Sequence, residues 1–213
     1  MRIGNSGLWL IENLFTSAQC SAMRASLQEP HVRWAPSTVA SAPGAGSARS
    51  VIDTAARVCA TTLGGVDDVT RGVLLQKLTD RGVLRCFLST KVSDVEMAAN
   101  RYDSPGPTSP GGFFGTHHDA WPGLDPGRRA LSVLVYLTTH EHGGGTLFPQ
   151  LGYTVQPREG HAAVWFNSCP KCDGSAEWCL DDRMIHRALE LAPGDAQKWV
   201  INVWATQSLV NAI

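Results

Sequence analysis

The second half of the chain consists of short apolar runs that turn-forming residues interrupt. After about residue 90, runs rich in Val, Leu, Ala and aromatic residues alternate with Gly, Pro and Asp. Short runs with regular turn signals are typical of the strands of an all-β sandwich or barrel. The candidate strands span 95–102, 115–120, 130–138, 146–148, 153–156, 162–167, 184–191 and 198–206. Eight strands of this length can form a jelly roll.

The first 90 residues instead carry apolar residues at helical spacing. A capped helix is predicted over 16–29, and two further helices over 52–63 and 66–84. Segment 36–48 is small and rich in Pro, Gly and Ser, which predicts a loop long enough to act as a lid. We therefore predict an α+β fold, mainly β, with a double-stranded β-helix (jelly roll) core and the N-terminal helices packed outside. Residues 1–213 are predicted to form a single domain, with 1–90 as a support region and 91–207 as the catalytic core.

Charge and hydrophobicity exclude several classes of protein. The 18 basic and 19 acidic side chains leave a net charge of -1, which does not predict a surface that binds nucleic acid. Apolar residues make up 43% of the chain, enough for a full core. The longest apolar run, 130–137, is far below the roughly 18 residues that a membrane span needs. No signal peptide is recognisable, so a cytoplasmic location without membrane attachment is predicted. The oligomeric state stays open.

Three of the six cysteines lie close together, at Cys169, Cys172 and Cys179. A structural zinc site needs four thiolate or imidazole ligands, and this cluster offers three. The sequence leaves open whether these cysteines bind a metal, form a disulfide or remain thiols in a polar loop.

The tripeptide His117-His118-Asp119 is the first candidate metal motif. Alternate residues of a strand share a face, so His117 and Asp119 can converge on one ion while His118 points away. His186 is the best third ligand, because two imidazoles and one carboxylate are the donor set of non-heme Fe(II) oxygenases. His140 and His142 are an alternative pair, although three glycines follow them and indicate an exposed turn.

Lys198 is a candidate for binding the far end of a dicarboxylic acid. A turn at 192–195 predicts that strands 184–191 and 198–206 form a hairpin, with Lys198 opposite a position near Leu189. The ammonium would then lie roughly 10 Å along the strands from His186, at about 3.3 Å per residue. Lys198 and Trp204 would share a face. Each residue taken alone also fits an ordinary role, Lys198 as a solvated strand residue and His186 as a core or surface histidine.

Several motifs in this order resemble the 2-oxoglutarate- and iron(II)-dependent prolyl 4-hydroxylases. The matching motifs are His117-x-Asp119, the run GGGTLFPQLG from Gly143 to Gly152, Pro157-x-x-Gly160, Trp165-Phe-Asn167, His186 and Lys198-Trp199. The resemblance runs from about residue 101 to 207. It implies a dioxygenase that uses Fe(II), 2-oxoglutarate and O2, with ascorbate (vitamin C) as a possible reductant.

The resemblance also implies roles for individual residues. His117, Asp119 and His186 would bind iron, and Lys198 would pair with the distal carboxylate of 2-oxoglutarate. Three further residues match positions that line the cosubstrate pocket: Tyr102, Thr146 and Trp204. Arg129 matches an arginine at the substrate entrance, with Arg128 as a competing register.

The implied function is hydroxylation of a C–H bond, with a prolyl residue of a peptide or protein as the first substrate. Free amino acids or small natural products are the alternative, because the segments 103–112 and 169–182 are longer than usual for the family and lie near the predicted barrel mouth. A non-enzymatic jelly-roll binding module is the second alternative.

Overall fold

A computed structural model describes residues 1–3, 6–40, 50–51, 54–84, 95–120, 129–170 and 178–206. This part of the chain contains two helices, α1 (Ser17–Leu27) and α2 (Asp68–Asp80). Its strands are β1 (Leu8–Ile11), β2 (Trp34–Pro36), β3 (Val39–Ala40), β4 (Ser50–Val51), β5 (Arg57–Val58), β6 (Ala60–Thr62), β7 (Val95–Tyr102), β8 (Phe113–His117), β9 (Leu131–Tyr136), β10 (Thr146–Phe148), β11 (Tyr153–Val155), β12 (Ala162–Phe166), β13 (Ser168–Pro170), β14 (Trp178–Leu180), β15 (His186–Ala188) and β16 (Lys198–Ala205).

Two antiparallel sheets form the body of the fold. The larger sheet has the strand order β1-β12-β9-β16-β7-β6-β2, and the smaller one has the order β11-β10-β15-β8-β5. Two short pairs, β3-β4 and β13-β14, complete the described strands. Mostly antiparallel sheets with two helices match the double-stranded β-helix, so the predicted fold class is confirmed.

Apolar side chains form two layers, one on each face of the larger sheet. On β9, Val133 and Val135 face a layer that also contains residues of α1 and α2, whereas Leu134 and Tyr136 face the barrel interior. Both faces of β9 are therefore buried, which explains why this strand reads as a continuous apolar run. The helices pack outside the barrel, as predicted.

The start of α1 follows from the sequence. Thr16 accepts a hydrogen bond from the Gln19 backbone at 3.3 Å, and the Gln19 side chain accepts one from the Thr16 backbone at 3.0 Å, so the predicted capping box forms. Cys20, Met23 and Leu27 are buried on the face that packs against the sheet. The helix predicted over 66–84 is confirmed as α2.

The helix predicted over 52–63 is wrong, because the described residues of this segment form β5 and β6. Short apolar runs do not separate helix from strand by spacing alone, and Val58, Thr61 and Thr62 favour a strand. The pairing of β6 with β7 fixes the outcome. The predicted loop 36–48 is also partly wrong, since Pro36 ends β2 and Val39–Ala40 form β3; residues 41–48 lie outside the described residues.

The hairpin predicted between residues 184–191 and 198–206 is wrong as well. β15 pairs with β8 and β10 in the smaller sheet, whereas β16 pairs with β7 and β9 in the larger one. The connection therefore crosses between the sheets, and Lys198 lies opposite Tyr102 rather than near Leu189. The first of these strands is also shorter than predicted, because Asp182–Met184 form a turn of 3-10 helix.

In the described part of the chain, neither helix has the length and apolar character that crossing a membrane requires.

Candidate active site

Three side chains from two strands of the smaller sheet converge inside the barrel. His117 ends β8, Asp119 follows two residues later, and His186 begins β15 directly opposite His117. Asp119 Oδ1 lies 3.6 Å from His117 Nε2 and 3.9 Å from His186 Nε2. In the described part of the chain, these are the only His, Cys, Asp or Glu side chains grouped closely enough to hold a metal ion.

Backbone carbonyls fix the orientation of both imidazoles. His117 Nδ1 donates to the Gly115 carbonyl and His186 Nδ1 to the Met184 carbonyl, each at 2.8 Å. The proton is thereby held on Nδ1, and the Nε2 lone pair of each ring is directed toward Asp119. Burial, together with the neighbouring His117, lowers the pKa of His186 to about 4, so this imidazole is neutral at neutral pH. A neutral imidazole is the form that binds a metal.

Asp119 is positioned by a hydroxyl inside the core. Ser132 Oγ donates to Asp119 Oδ2 at 2.5 Å, and Asn167 Nδ2 donates to Ser132 Oγ at 2.7 Å. Burial alone would raise the pKa of Asp119, but the adjacent imidazoles of His186 and His117 and the Ser132 hydroxyl together hold it below the usual range. The group is therefore an ionised carboxylate with one oxygen bound to Ser132 and the other facing the two histidines.

Ser132 and Asn167 were not predicted to belong to the site. Apart from the Tyr136 hydroxyl at its end, β9 carries apolar side chains, and Ser132 is the exception within it. A hydroxyl in a fully buried strand needs a hydrogen-bond partner. The position of Ser132 in an apolar run was therefore the sequence signal that it bonds another buried polar group.

Lys198 lies in the same cavity and is 1% exposed. Its ammonium donates to the Gly144 carbonyl and lies 4.6 Å from the centre of the Tyr102 ring. Burial lowers the pKa of Lys198 to about 7. Among the described residues, no carboxylate lies within ion-pair distance of this ammonium. Because a buried charge without a counter-ion is unfavourable, the cavity is suited to a ligand that brings a carboxylate to Lys198.

The three residues matched to the cosubstrate pocket all line this cavity: Tyr102, Thr146 and Trp204. Thr146 Oγ1 lies 2.9 Å from the Tyr136 hydroxyl, a buried neighbour that the sequence did not indicate. Trp204 Nε1 is buried and has no hydrogen-bond partner among the described residues. Lys198 and Trp204 line one cavity, in agreement with their predicted common face.

Arg129 does not line the cavity itself but contacts Trp204 and the backbone of Asp119, which do. Its guanidinium pairs with Glu96 at 2.6 Å, lies 4.2 Å over the Trp204 ring and donates to the Asp119 carbonyl at 3.4 Å. The competing Arg128 lies outside the described residues.

The other candidate residues do not join the triad. His118 bonds the Asp181 carbonyl, which agrees with the prediction that it points away. His140 is buried against Thr138 and Asp195, and His142 is exposed, so the alternative pair does not converge. Cys169 lies opposite Cys179 across β13 and β14, and Cys172 lies outside the described residues.

Comparison with known proteins finds similarity to several prolyl hydroxylases. The chain is 35% identical to prolyl 4-hydroxylase subunit alpha-1 of Gallus gallus over 86 residues, which cover 40% of this chain and 15% of that subunit. The viral collagen prolyl hydroxylase of Paramecium Bursaria Chlorella virus-1, solved with 2OG, superposes with a TM-score of 0.58 at 18% identity and covers 94% of this chain and 96% of that one. A prolyl-4-hydroxylase of Pseudomonas putida gives 0.53 at 17% identity, covering 95% and 93%.

At these identities the solved structures establish a common fold, and the match to the curated subunit spans about one seventh of its length. The family model described as the 2OG-Fe(II) oxygenase superfamily matches residues 97–206. This range contains the triad, Lys198 and all the strands from β8 to β16. The chain therefore belongs to the 2OG-Fe(II) oxygenase superfamily.

Proposed function

We propose that this chain hydroxylates a prolyl residue of a peptide or protein, with iron held by His117, Asp119 and His186. The observation that carries the proposal is the convergence of these three side chains beside a buried ammonium, that of Lys198, which has no acidic partner among the described residues. Two imidazoles and one carboxylate fit Fe(II) and leave coordination positions for further ligands.

The cosubstrate fits the part of the cavity that Lys198 lines. Lys198 offers a charge for the distal carboxylate of 2-oxoglutarate, with Tyr102 and Thr146 beside it and the Trp204 indole as a further donor. When bound, iron and 2-oxoglutarate would supply a coupled oxidation by O2, in which one oxygen atom enters succinate, with release of CO2, and the other converts a substrate C–H bond to C–OH.

The protein's own contribution is orientation and exclusion of water. The Gly115 and Met184 carbonyls aim the two imidazoles, and Ser132 holds the carboxylate. Trp165 and Phe148 pack against His186 at ring distances of 4.8 Å and 5.4 Å, which closes that side of the site to solvent.

The prolyl substrate is supported by the relatives, since the Gallus gallus subunit and both solved structures are prolyl hydroxylases. The test incubates the protein with Fe(II), 2-oxoglutarate and O2 and a proline-rich peptide, beside a panel of free amino acids. We expect succinate release and a gain of one oxygen atom by the peptide in mass spectra. Oxygen gain by a free amino acid instead of the peptide would show that the substrate is a small molecule. Binding of the peptide without iron and without turnover would favour a non-enzymatic binding module.

Other parts of the proposal rest on the sequence. They are a single domain over residues 1–213, the use of O2 with ascorbate as reductant, a substrate-contacting role for Arg129, a cytoplasmic location and the lack of a nucleic-acid partner.

A further inference from the structure

Arg57 lies on the wall of the catalytic cavity but has no part in the site described above. It begins β5, the edge strand of the smaller sheet, directly opposite Phe114 of β8. Its side chain lines the cavity that contains the triad and also a neighbouring open cavity of about 450 Å³. A volume of this size lies within the range of small-molecule and peptide sites.

Among the described residues, the hydrogen-bond partners of the Arg57 guanidinium are uncharged. Nε donates to Cys59 Sγ at 3.1 Å, Nη2 to Asn100 Oδ1 at 3.1 Å, and Nη1 to the Thr38 carbonyl at a long 3.5 Å. Among the described residues, no carboxylate pairs with it. A guanidinium carries five N–H donors, so this one retains donors and a full positive charge for a ligand.

Several other arginines in the described part of the chain are paired with acids. Arg24 binds Glu159 at 2.9 Å, and Arg129 binds Glu96 at 2.6 Å. Lys198 is the second cation that lines the catalytic cavity, and it is assigned to the distal carboxylate of 2-oxoglutarate. The cavity therefore offers one more positive charge than the cosubstrate needs at its distal end.

The Arg57 guanidinium is also close to the metal ligands. Its central carbon lies 4.1 Å from the centre of the Phe114 ring, and that ring stacks on the His117 imidazole at 3.6 Å. The Phe114 ring thus lies between the Arg57 guanidinium and His117 of the triad and contacts both. A group bound to Arg57 would therefore lie close to His117 of the triad.

We infer that Arg57 binds a carboxylate of the substrate that is hydroxylated. This inference rests on the proposed function and narrows its substrate class. The planar guanidinium fork matches a carboxylate in a bidentate manner. Two sources present this chemistry: the terminal carboxylate of a free amino acid or peptide, and the side chain of an Asp or Glu next to the target residue.

Matched pairs of ligands separate the two sources. The pairs are L-proline and L-prolinamide, a peptide ending in proline and its C-terminal amide, and a peptide with Glu beside an internal proline and the same peptide with Gln. Each pair is measured against wild type, Arg57→Gln and Arg57→Lys. Arg33→Gln is the control, because Arg33 is an exposed arginine that directly precedes Trp34, a residue that lines the same open cavity.

For at least one pair, we expect wild type and Arg33→Gln to favour the carboxylate over the amide by about 10- to 100-fold in kcat/KM, mainly through KM. Arg57→Gln should lose this preference and leave the amide unaffected, and Arg57→Lys should keep part of it. Dissociation constants for the same ligands on protein loaded with Mn(II) and 2-oxoglutarate should show the same pattern without turnover.

Three outcomes would overturn the inference. Equal losses on the carboxylate and the amide would show that Arg57 only supports the fold, and a raised dissociation constant for 2-oxoglutarate would place it in the cosubstrate site. The absence of any carboxylate preference in wild type would overturn it even where turnover supports the proposed function. A binding preference without 2-oxoglutarate turnover would instead uphold the inference and contradict the proposed function.

Discussion

Lys198 illustrates how burial changes the chemistry of a single residue. The ammonium is 1% exposed and bonds a carbonyl rather than an acid. Its charge is therefore unfavourable until a ligand carboxylate arrives. The same residue on a solvated strand would have no such role, and the sequence left both possibilities open.

Lys198→Met removes the charge and keeps a long apolar side chain. We expect affinity for 2-oxoglutarate to fall by about 100-fold or more, because one partner of a buried ion pair is lost. Affinity for the metal should stay unchanged, since Lys198 does not contact the triad. Calorimetric titration of the metal-free protein with Mn(II), and then of the Mn(II)-loaded protein with 2-oxoglutarate, measures the two affinities. Equal affinity for 2-oxoglutarate in wild type and Lys198→Met would contradict the assignment of Lys198.

Binding of 2-oxoglutarate should also depend on pH through Lys198. Burial lowers the pKa of Lys198 from 10.5 to about 7, so the empty site is protonated below pH 7 and neutral above it. The carboxylate needs the protonated form, and binding above pH 7 must take up a proton. We expect affinity to be constant below pH 7 and to fall by about tenfold per pH unit above it. Titrations in buffers of different ionisation enthalpy count the proton, and Lys198→Met should show no such dependence.

The convergence of the three triad side chains could be predicted because residue type and spacing restrict the chemistry. His117 and Asp119 stand two apart, and His186 and Lys198 follow them in the order found in the prolyl 4-hydroxylases, although the hairpin predicted between them is wrong. Ser132 and Arg57 could not be placed in this way. Their roles depend on which strands are neighbours, and spacing along the chain does not give that information.

At the scale of elements, the sequence predicted most of the strands that follow residue 90 but not how they pair. The apolar runs of β7, β9 and β16 are long enough to define strands, and both β7 and β10 have the predicted bounds. The turn at 192–195 resembles a hairpin turn, yet the chain crosses there from the smaller sheet to the larger one. A local pattern predicts a reversal of direction but not which sheet the next strand joins.

The connection before β12 depends on a glycine. Gly160 has a φ of +78°, and a Cβ atom placed there would lie 2.1 Å from the Phe15 carbonyl oxygen. Its backbone also joins Phe15 to Tyr136 by two hydrogen bonds. Gly160→Ala should therefore destabilise the protein by about 3 kcal/mol or more, from overpacking added to backbone strain.

Gly152→Ala is the matched control for this substitution. Gly152 has a φ of +60° and no atom within 4 Å of a Cβ, so it carries the backbone strain alone. Its expected cost is about 1 to 2 kcal/mol. Denaturant unfolding measures both variants, and equal losses would show that the contact with Phe15 is not the cause.

At the scale of the whole molecule, the jelly roll was predicted from the number and length of the apolar runs. In the structure, β1 pairs with β12 at one edge of the larger sheet and β6 pairs with β7 near the other. Strands from the first 62 residues thus complete the sheets that carry the site. Such contacts between distant segments leave no periodic signal in the sequence.

Ligands that bind the folded protein should stabilise all of it. Mn(II) alone should raise the melting temperature, and 2-oxoglutarate should raise it further. At a 2-oxoglutarate concentration one hundred times its dissociation constant, the free energy of unfolding should increase by about 2.7 kcal/mol. In Lys198→Met the metal effect should remain while the 2-oxoglutarate effect disappears. A full 2-oxoglutarate effect in this variant, followed by differential scanning calorimetry, would show that the cosubstrate binds elsewhere.

The most direct test of the account is an anaerobic titration with Fe(II) in the presence of 2-oxoglutarate, followed by the charge-transfer absorption of chelated iron. We predict one iron per chain for wild type and for His142→Ala, whose imidazole is exposed and away from the site. His117→Ala and His186→Ala should lose the absorption. Wild type without the absorption, or a His186→Ala variant that titrates like wild type, would contradict an iron centre held by His117, Asp119 and His186.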